Sequence, residues 1–170
     1  NLTVLDALKE KLADTDPNVR AAACWAIGRL GPDGASALPE LVKLLNDKNE
    51  IVQEGAVYAI TEIGPSTIGV LEPMIQMRAK GSSTTRLYAT RYIAAVGHDE
   101  KRGVEVLIQA LNDNDPRVRI AAADGLGSVT VLQEKAVASL TKTAKTPRHT
   151  TLGKGGLNDD EVQIAAVSAL

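Results

Sequence analysis

The residues able to do chemistry are few: two histidines, one cysteine and one glycine-rich loop with a lysine. His98 lies in the turn Gly97-His-Asp-Glu100, and His149 sits in a stretch rich in Thr, Pro and Gly. Neither has a second histidine or a cysteine at metal-ligand spacing, so both read as solvated turn residues. Cys24 falls inside an alanine-rich helical stretch and reads as a packed small apolar residue rather than a reactive thiol. As the single cysteine it excludes an internal disulfide and a cysteine metal cluster. Gly153-Lys-Gly-Gly156 resembles a phosphate loop only superficially: the full spacing is missing, no strand precedes it, and no Ser or Thr follows the lysine. No catalytic residue, metal ligand or cofactor is assigned.

Position in this chain is set by repetition. Leu8, Leu41, Met74, Leu107 and Leu140 recur at steps of 33 residues, as do Ile27, Ile60, Ile93 and Leu126. Such self-similarity marks a repeat architecture in which each unit buries its apolar face against its neighbours. Each unit divides into two helices. The first carries apolar residues at helical spacing, as in Leu38, Leu41, Val42 and Leu45, and the second a stripe such as Val19, Ala23, Ile27 and Leu30. Asp16, Asn49, Ser82 and Asp115 share one register and are all side chains that cap a helix N-terminus. Pro17 and Pro116 then fall at the first helical position. Gly31, Gly64 and Gly97 follow the second helices, where a left-handed residue ends a helix, before the column reaches Thr130.

These columns predict an all-α, right-handed solenoid of about five two-helix repeats, at about 1–31, 32–64, 65–97, 98–130 and 131–170. The fifth is interrupted. Val118 and Asp115 recur as Val162 and Asp159, 44 residues on, which places an insertion of 11 residues near 146–156. Neither end carries a polar capping repeat, so further repeats or self-association through the ends are expected.

Composition narrows the partners. With no Phe, one Trp and three Tyr, the core is built of Ala, Leu, Ile and Val, which suits closely packed helices. A net charge of −2 makes nucleic acid an unfavoured partner for the chain as a whole. No apolar run approaches the ~18 residues of a membrane span, and no leader is visible, which favours the cytoplasm. What remains is surface. Trp25, Tyr58, Arg91 and Asp124 form one column at steps of 33, with Glu54, Arg29 and Glu62 beside it. Trp, Tyr and Arg are enriched at binding hot spots, although such rings also cover seams between helices. Tyr88 and Tyr92 read as fillers of the third repeat. Lys135, Lys142, Lys145, Arg148 and Lys154, with no acid between 135 and 158, make a local basic stretch that reads as a solvated face.

Two segments, Asp14–Gly31 and Asp113–Gly127, share Asp-x-Asp-Pro-x-Val-Arg-x-Ala-Ala, and each closes on Leu-Gly, three residues sooner in the second. This pattern resembles the HEAT repeat in its short bacterial form, also called the phycobilisome-lyase HEAT-like repeat. The resemblance implies a ladder of ion pairs between successive units, at positions matched here by Asp14 with Arg20 and Asp113 with Arg119. The second unit departs with Asp47 and Gln53, and the third with the like charges Lys80 and Arg86. It also implies a concave surface lined by the second helices, on which such proteins hold a protein or peptide. The reading is therefore a non-catalytic scaffold for a protein or peptide partner. A bilin lyase-like accessory role in phycobilisome chromophore attachment and a HEAT-like nucleic-acid binder are the alternatives that the resemblance implies.

Overall fold

The computed structural model describes residues 3–64, 69–145 and 159–170. Among them are ten α-helices and no strand: α1 (Val4–Lys11), α2 (Pro17–Arg29), α3 (Leu38–Leu44), α4 (Glu50–Ile63), α5 (Leu71–Lys80), α6 (Ser83–Val96), α7 (Lys101–Ala110), α8 (Pro116–Leu126), α9 (Gln133–Lys145) and α10 (Asp159–Ser168). A 3₁₀ segment, Gly31–Ala37, joins α2 to α3. The chain divides into two compact units, Asn1–Tyr92 and Ile93–Leu170. The expected insertion at 146–156, with His149, Arg148 and the Gly153–Gly156 loop, lies outside the described residues.

Capping chemistry starts the second helix of each of the first four repeats. The carboxylates of Asp16 and Asp115 and the amide oxygen of Asn49 accept from the backbone amides of Asn18, Arg117 and Ile51, at 2.8, 2.9 and 2.9 Å. Ser82 does the same for Thr85 at 3.2 Å. Each bond satisfies an amide that the first turn leaves without a partner. Pro17 and Pro116 occupy the first helical positions. The first helix has a device that the repeat columns do not show: Thr3 accepts from the Asp6 amide at 3.1 Å while Asp6 accepts from the Thr3 amide at 3.0 Å. The Thr3 hydroxyl and amide together hold the Asp6 carboxyl below its usual range.

Within the first unit α2 packs along α4, with α1 against α2 and α3 against α4. Within the second, α8 packs along α10, with α7 against α8 and α9 against α10. The repeat columns form the core: Ile27, Leu41, Ile60 and Met74 are fully buried in the first unit, and Ile93 and Leu107 in the second. Small residues set the spacing. Ala21, Ala23, Cys24, Ala56 and Ala59 are buried at the α2–α4 seam, where two larger side chains would hold the backbones apart.

The glycine column divides in two. Gly31 and Gly64 both have positive φ, +57° and +92°, but Gly64, with ψ −171°, turns the chain out of α4 in an extended conformation that only glycine adopts readily, in place of a left-handed cap. Gly97 does not have positive φ. A methyl group there would lie 2.7 Å from the Ile93 carbonyl oxygen and 3.1 Å from the Cα of Gly103, so this glycine makes room for backbone rather than supplying a left-handed turn.

Candidate interaction surface

The second helices α2, α4 and α6 each carry a stripe, at helical spacings of four, three and four, that is exposed or half-buried except at Gly55. On α2 it runs Asn18, Ala22, Trp25 and Arg29; on α4, Ile51, Gly55, Tyr58 and Glu62; on α6, Thr84, Tyr88, Arg91 and Ala95. Trp25, Tyr58 and Tyr88 are half-buried, whereas Arg29, Glu62 and Arg91 are exposed. The rings touch in sequence. The Trp25 and Tyr58 centroids are 4.4 Å apart with the planes tilted by 37°, and Tyr58 meets Tyr88 edge-on at 5.3 Å. The Arg91 guanidinium carbon stands 5.9 Å from the centre of the Tyr88 ring, within cation–π range.

Two glycines permit this arrangement. A methyl group on Gly28 would come within 2.6 Å of the Tyr58 ring, so that ring lies down across α2 only because position 28 has no side chain. A methyl on Gly55 would lie 3.0 Å from the Cys24 Cβ and 3.3 Å from the Ala21 carbonyl oxygen, so this glycine lets α4 come close to α2 beneath the rings, with the Trp25 indole nitrogen 3.4 Å from that point. Tyr88 thus differs from its expected role as filler: it joins the ring row, while Tyr92 is the buried filler, 2% exposed. Column arithmetic missed Tyr88 because it belongs to the register of Gly55, one turn from that of Tyr58. The contact is diagonal between helices.

Electrostatics on the row are uneven. Burial pushes the Tyr58 hydroxyl above its ordinary range, with Glu62 acting in the same direction and Arg29 against it. Glu54 is half-buried and accepts a short hydrogen bond from the Ser82 hydroxyl. Arg91 contacts the Tyr88 ring and no carboxylate among the described residues. The indole N–H of Trp25 and the hydroxyls of Tyr58 and Tyr88 likewise have no hydrogen-bond partner among them.

Asp124, the fourth member of the column, belongs to the second unit. It lines a cleft of about 240 Å³ with Gly127, Ser128, Ser168 and Ala169. The residue is exposed, yet the cleft desolvates its carboxyl enough to raise it above the usual range. A raised carboxyl favours the fold below the unfolded-state value of about 3.9 and disfavours it as pH rises through the folded-state value. Asp124→Asn is therefore expected to raise the urea midpoint slightly at pH 7, by no more than about 0.5 kcal/mol, because an exposed carboxylate keeps most of its hydration. Repeating the titration near pH 3 should remove the gain.

The ladder is built differently from the expected pairing. Arg20 does not bond the Asp14 carboxylate, which instead accepts from the Asp16 amide at 3.0 Å and faces Lys11 at 3.6 Å. Its guanidinium donates to both carboxylate oxygens of Asp47 in the next repeat, each at 2.9 Å, and to the Asp14 carbonyl at 2.8 Å. Gln53, one repeat on, reproduces the carbonyl contact by donating to the Asp47 carbonyl at 2.6 Å. Arg86 donates to the Gly81 carbonyl at 3.2 Å, and Arg119 to the Asp113 carbonyl at 2.8 Å. The shared task of this column is therefore to bond the turn between the paired helices. Lys80 does not disturb it, because the acceptor is backbone.

Cys24 is fully buried, and burial pushes its thiol up to about 12, far from a nucleophile's range. His98 stands 3.2 Å from the Asp99 carboxylate, and its carbonyl accepts from the Thr130 amide at 3.2 Å, so it belongs to a structured turn. Among the described residues no cluster of His, Cys, Asp or Glu side chains is placed to hold a metal ion. No described helix is long and apolar enough to cross a membrane.

A model of HEAT repeats matches residues 5–80 and 71–152. The chain belongs to the HEAT-repeat family. No curated protein matches it by sequence. Solved structures of the same all-α repeat fold include an engineered protein, 21% identical, with a TM-score of 0.76 over 98% of this chain and 78% of that one. A designed armadillo repeat protein in complex with the peptide (KR)4 is 23% identical, with a TM-score of 0.71 over 97% of this chain and 81% of that one. The complex of CpcE and CpcF of phycocyanin lyase from Nostoc sp. PCC7120 includes a chain 17% identical, with a TM-score of 0.67 over 99% of either. At these identities the likeness is one of HEAT-type fold.

Proposed function

We propose that this HEAT-repeat chain is a non-catalytic scaffold that binds a protein or peptide along the exposed stripes of α2, α4 and α6. The observation that carries the reading is the contiguous row of Trp25, Tyr58 and Tyr88. The rings touch one another, remain half-exposed, and have no hydrogen-bond partner for their N–H and O–H groups among the described residues. Rings that only sealed a seam would tend to satisfy those groups or bury them. Arg29, Glu62 and Arg91 form a polar rim, which is how binding patches are commonly built. The designed armadillo protein that holds a peptide supports the reading, since it shows such a fold presenting an extended surface to a peptide. The phycocyanin lyase neighbour shares the fold at 17% identity and adds no residue to the argument.

Peptides selected on the intact chain from a random display library provide the test. Their affinity for the Trp25→Ala/Tyr58→Ala variant is expected to fall at least ~30-fold, corresponding to about 2 kcal/mol. Circular dichroism should show its helices intact. Because both rings pack on glycines, the exposed pair Arg29→Ala/Arg91→Ala provides a second variant with little effect on folding. Selected peptides that bind both variants as well as the parent would place the site elsewhere.

A further inference from the structure

Resting on that reading of the row, we infer that its partner is an extended acidic segment, which sets a carboxylate on Arg91 and an apolar side chain on the rings. The charges within the row lead to this choice. Arg29 and Glu62 occupy the same register on α2 and α4 and act on Tyr58 with opposite signs, so they offset one another. The Glu54 carboxylate is engaged by the Ser82 hydroxyl. That donor is neutral and leaves the Glu54 charge in place, but Glu54 has its partner, whereas the exposed Arg91 guanidinium meets a ring and no carboxylate among the described residues.

Its surroundings prepare it for an anion. The Tyr88 ring, 5.9 Å from the guanidinium carbon, restrains the side chain, whose N–H donors have no hydrogen-bond partner among the described residues. A guanidinium held in this way matches a carboxylate with two parallel hydrogen bonds at little further cost in side-chain entropy. Beyond it the row offers the two phenol hydroxyls and the indole N–H. A ligand rich in acceptors satisfies these donors, and an extended peptide backbone beside a carboxylate is such a ligand.

Distances set the pattern. From Arg91 the rings follow at 5.9, 5.3 and 4.4 Å steps, toward Trp25. An extended chain advances about 3.3 Å per residue and presents every second side chain to one face. The acidic residue and the apolar residue therefore stand two to four positions apart.

Trp25 is the only tryptophan, so its emission reports on this row without a label. The intact chain would be titrated with acetylated, amidated (Glu-Ser-Leu-Ser)3, (Gln-Ser-Leu-Ser)3 and (Lys-Ser-Leu-Ser)3, in which the first and third side chains of each block share a face. The expected result is a change in Trp25 emission with the Glu peptide at a Kd at least tenfold below that of the Gln peptide, and weakest with the Lys peptide. Arg91→Gln should abolish the discrimination and Arg91→Glu should reverse it; the side chain is exposed, so both variants are expected to fold. Equal affinity for the three peptides, or preference for the Lys peptide, would overturn the acidic assignment while leaving the row a peptide site. No change in emission with any of them would overturn the peptide-binding reading and this inference with it.

Discussion

Gly103→Ala is expected to destabilise the second unit by about 3 kcal/mol, at the upper end of the cost of overpacking. The added methyl would lie 2.5 Å from the Gly97 carbonyl oxygen and 2.7 Å from its Cα. Those atoms are backbone, so no rotamer change relieves the clash; the turn or the first turn of α7 must shift. That turn is itself tied down, because the Glu100 amide donates to the Gly97 carbonyl at 3.1 Å and the Thr130 amide to the His98 carbonyl at 3.2 Å. Gly64→Ala provides the comparison. It has φ +92° with ψ −171° and nothing within 4 Å of the added carbon, so its cost is conformational alone, about 1–3 kcal/mol. Urea denaturation at constant m separates the two. If Gly103→Ala costs no more than Gly64→Ala, the close crossing of the two backbones is wrong.

Asp47→Ala should be the most damaging charge deletion in the first unit, at about 2 kcal/mol. Its carboxylate accepts both bonds from Arg20 and a third from the Asn49 amide, at 2.8 Å, so one truncation breaks the link between repeats and the turn that starts α4. The Asp47 side chain is only 9% exposed, which separates this pair from the surface bridges that contribute little. Burial works to raise its carboxyl, yet the Arg20 and Asn49 hydrogen bonds outweigh it and hold the group below its usual range. A lowered carboxyl stabilises the fold above the unfolded value of about 3.9, and that contribution is lost as pH falls through the folded value. The gap between parent and Asp47→Ala midpoints should therefore be wide at pH 7 and shrink on acidification below about pH 4. A gap independent of pH would mean that packing, and not the ion pair, makes Asp47 matter.

Much of this was legible in the chain itself. A period of 33 residues, capping side chains in register and prolines at first helical positions act within a few residues of sequence. Local rules therefore read them correctly: the helices begin where Asp16, Asn49, Ser82 and Asp115 place them. The core columns were legible for a related reason, since a recurring unit must bury the same face each time. Composition also indicated the close α2–α4 approach, because alanine admits it.

What the tertiary structure decided are contacts that cross from one helix to the next with an offset. Arg20 turned from its own Asp14 to Asp47, since a guanidinium reaching across the seam finds the following repeat's carboxylate while its own turn offers a carbonyl. Gly97 turned from a left-handed cap to a backbone crossing with Gly103, which no spacing rule encodes. Tyr88 moved from filler to the centre of the ring row, because diagonal contacts between helices depend on their relative axial shift. Repetition specifies which positions are equivalent. Only packing specifies which equivalent positions meet.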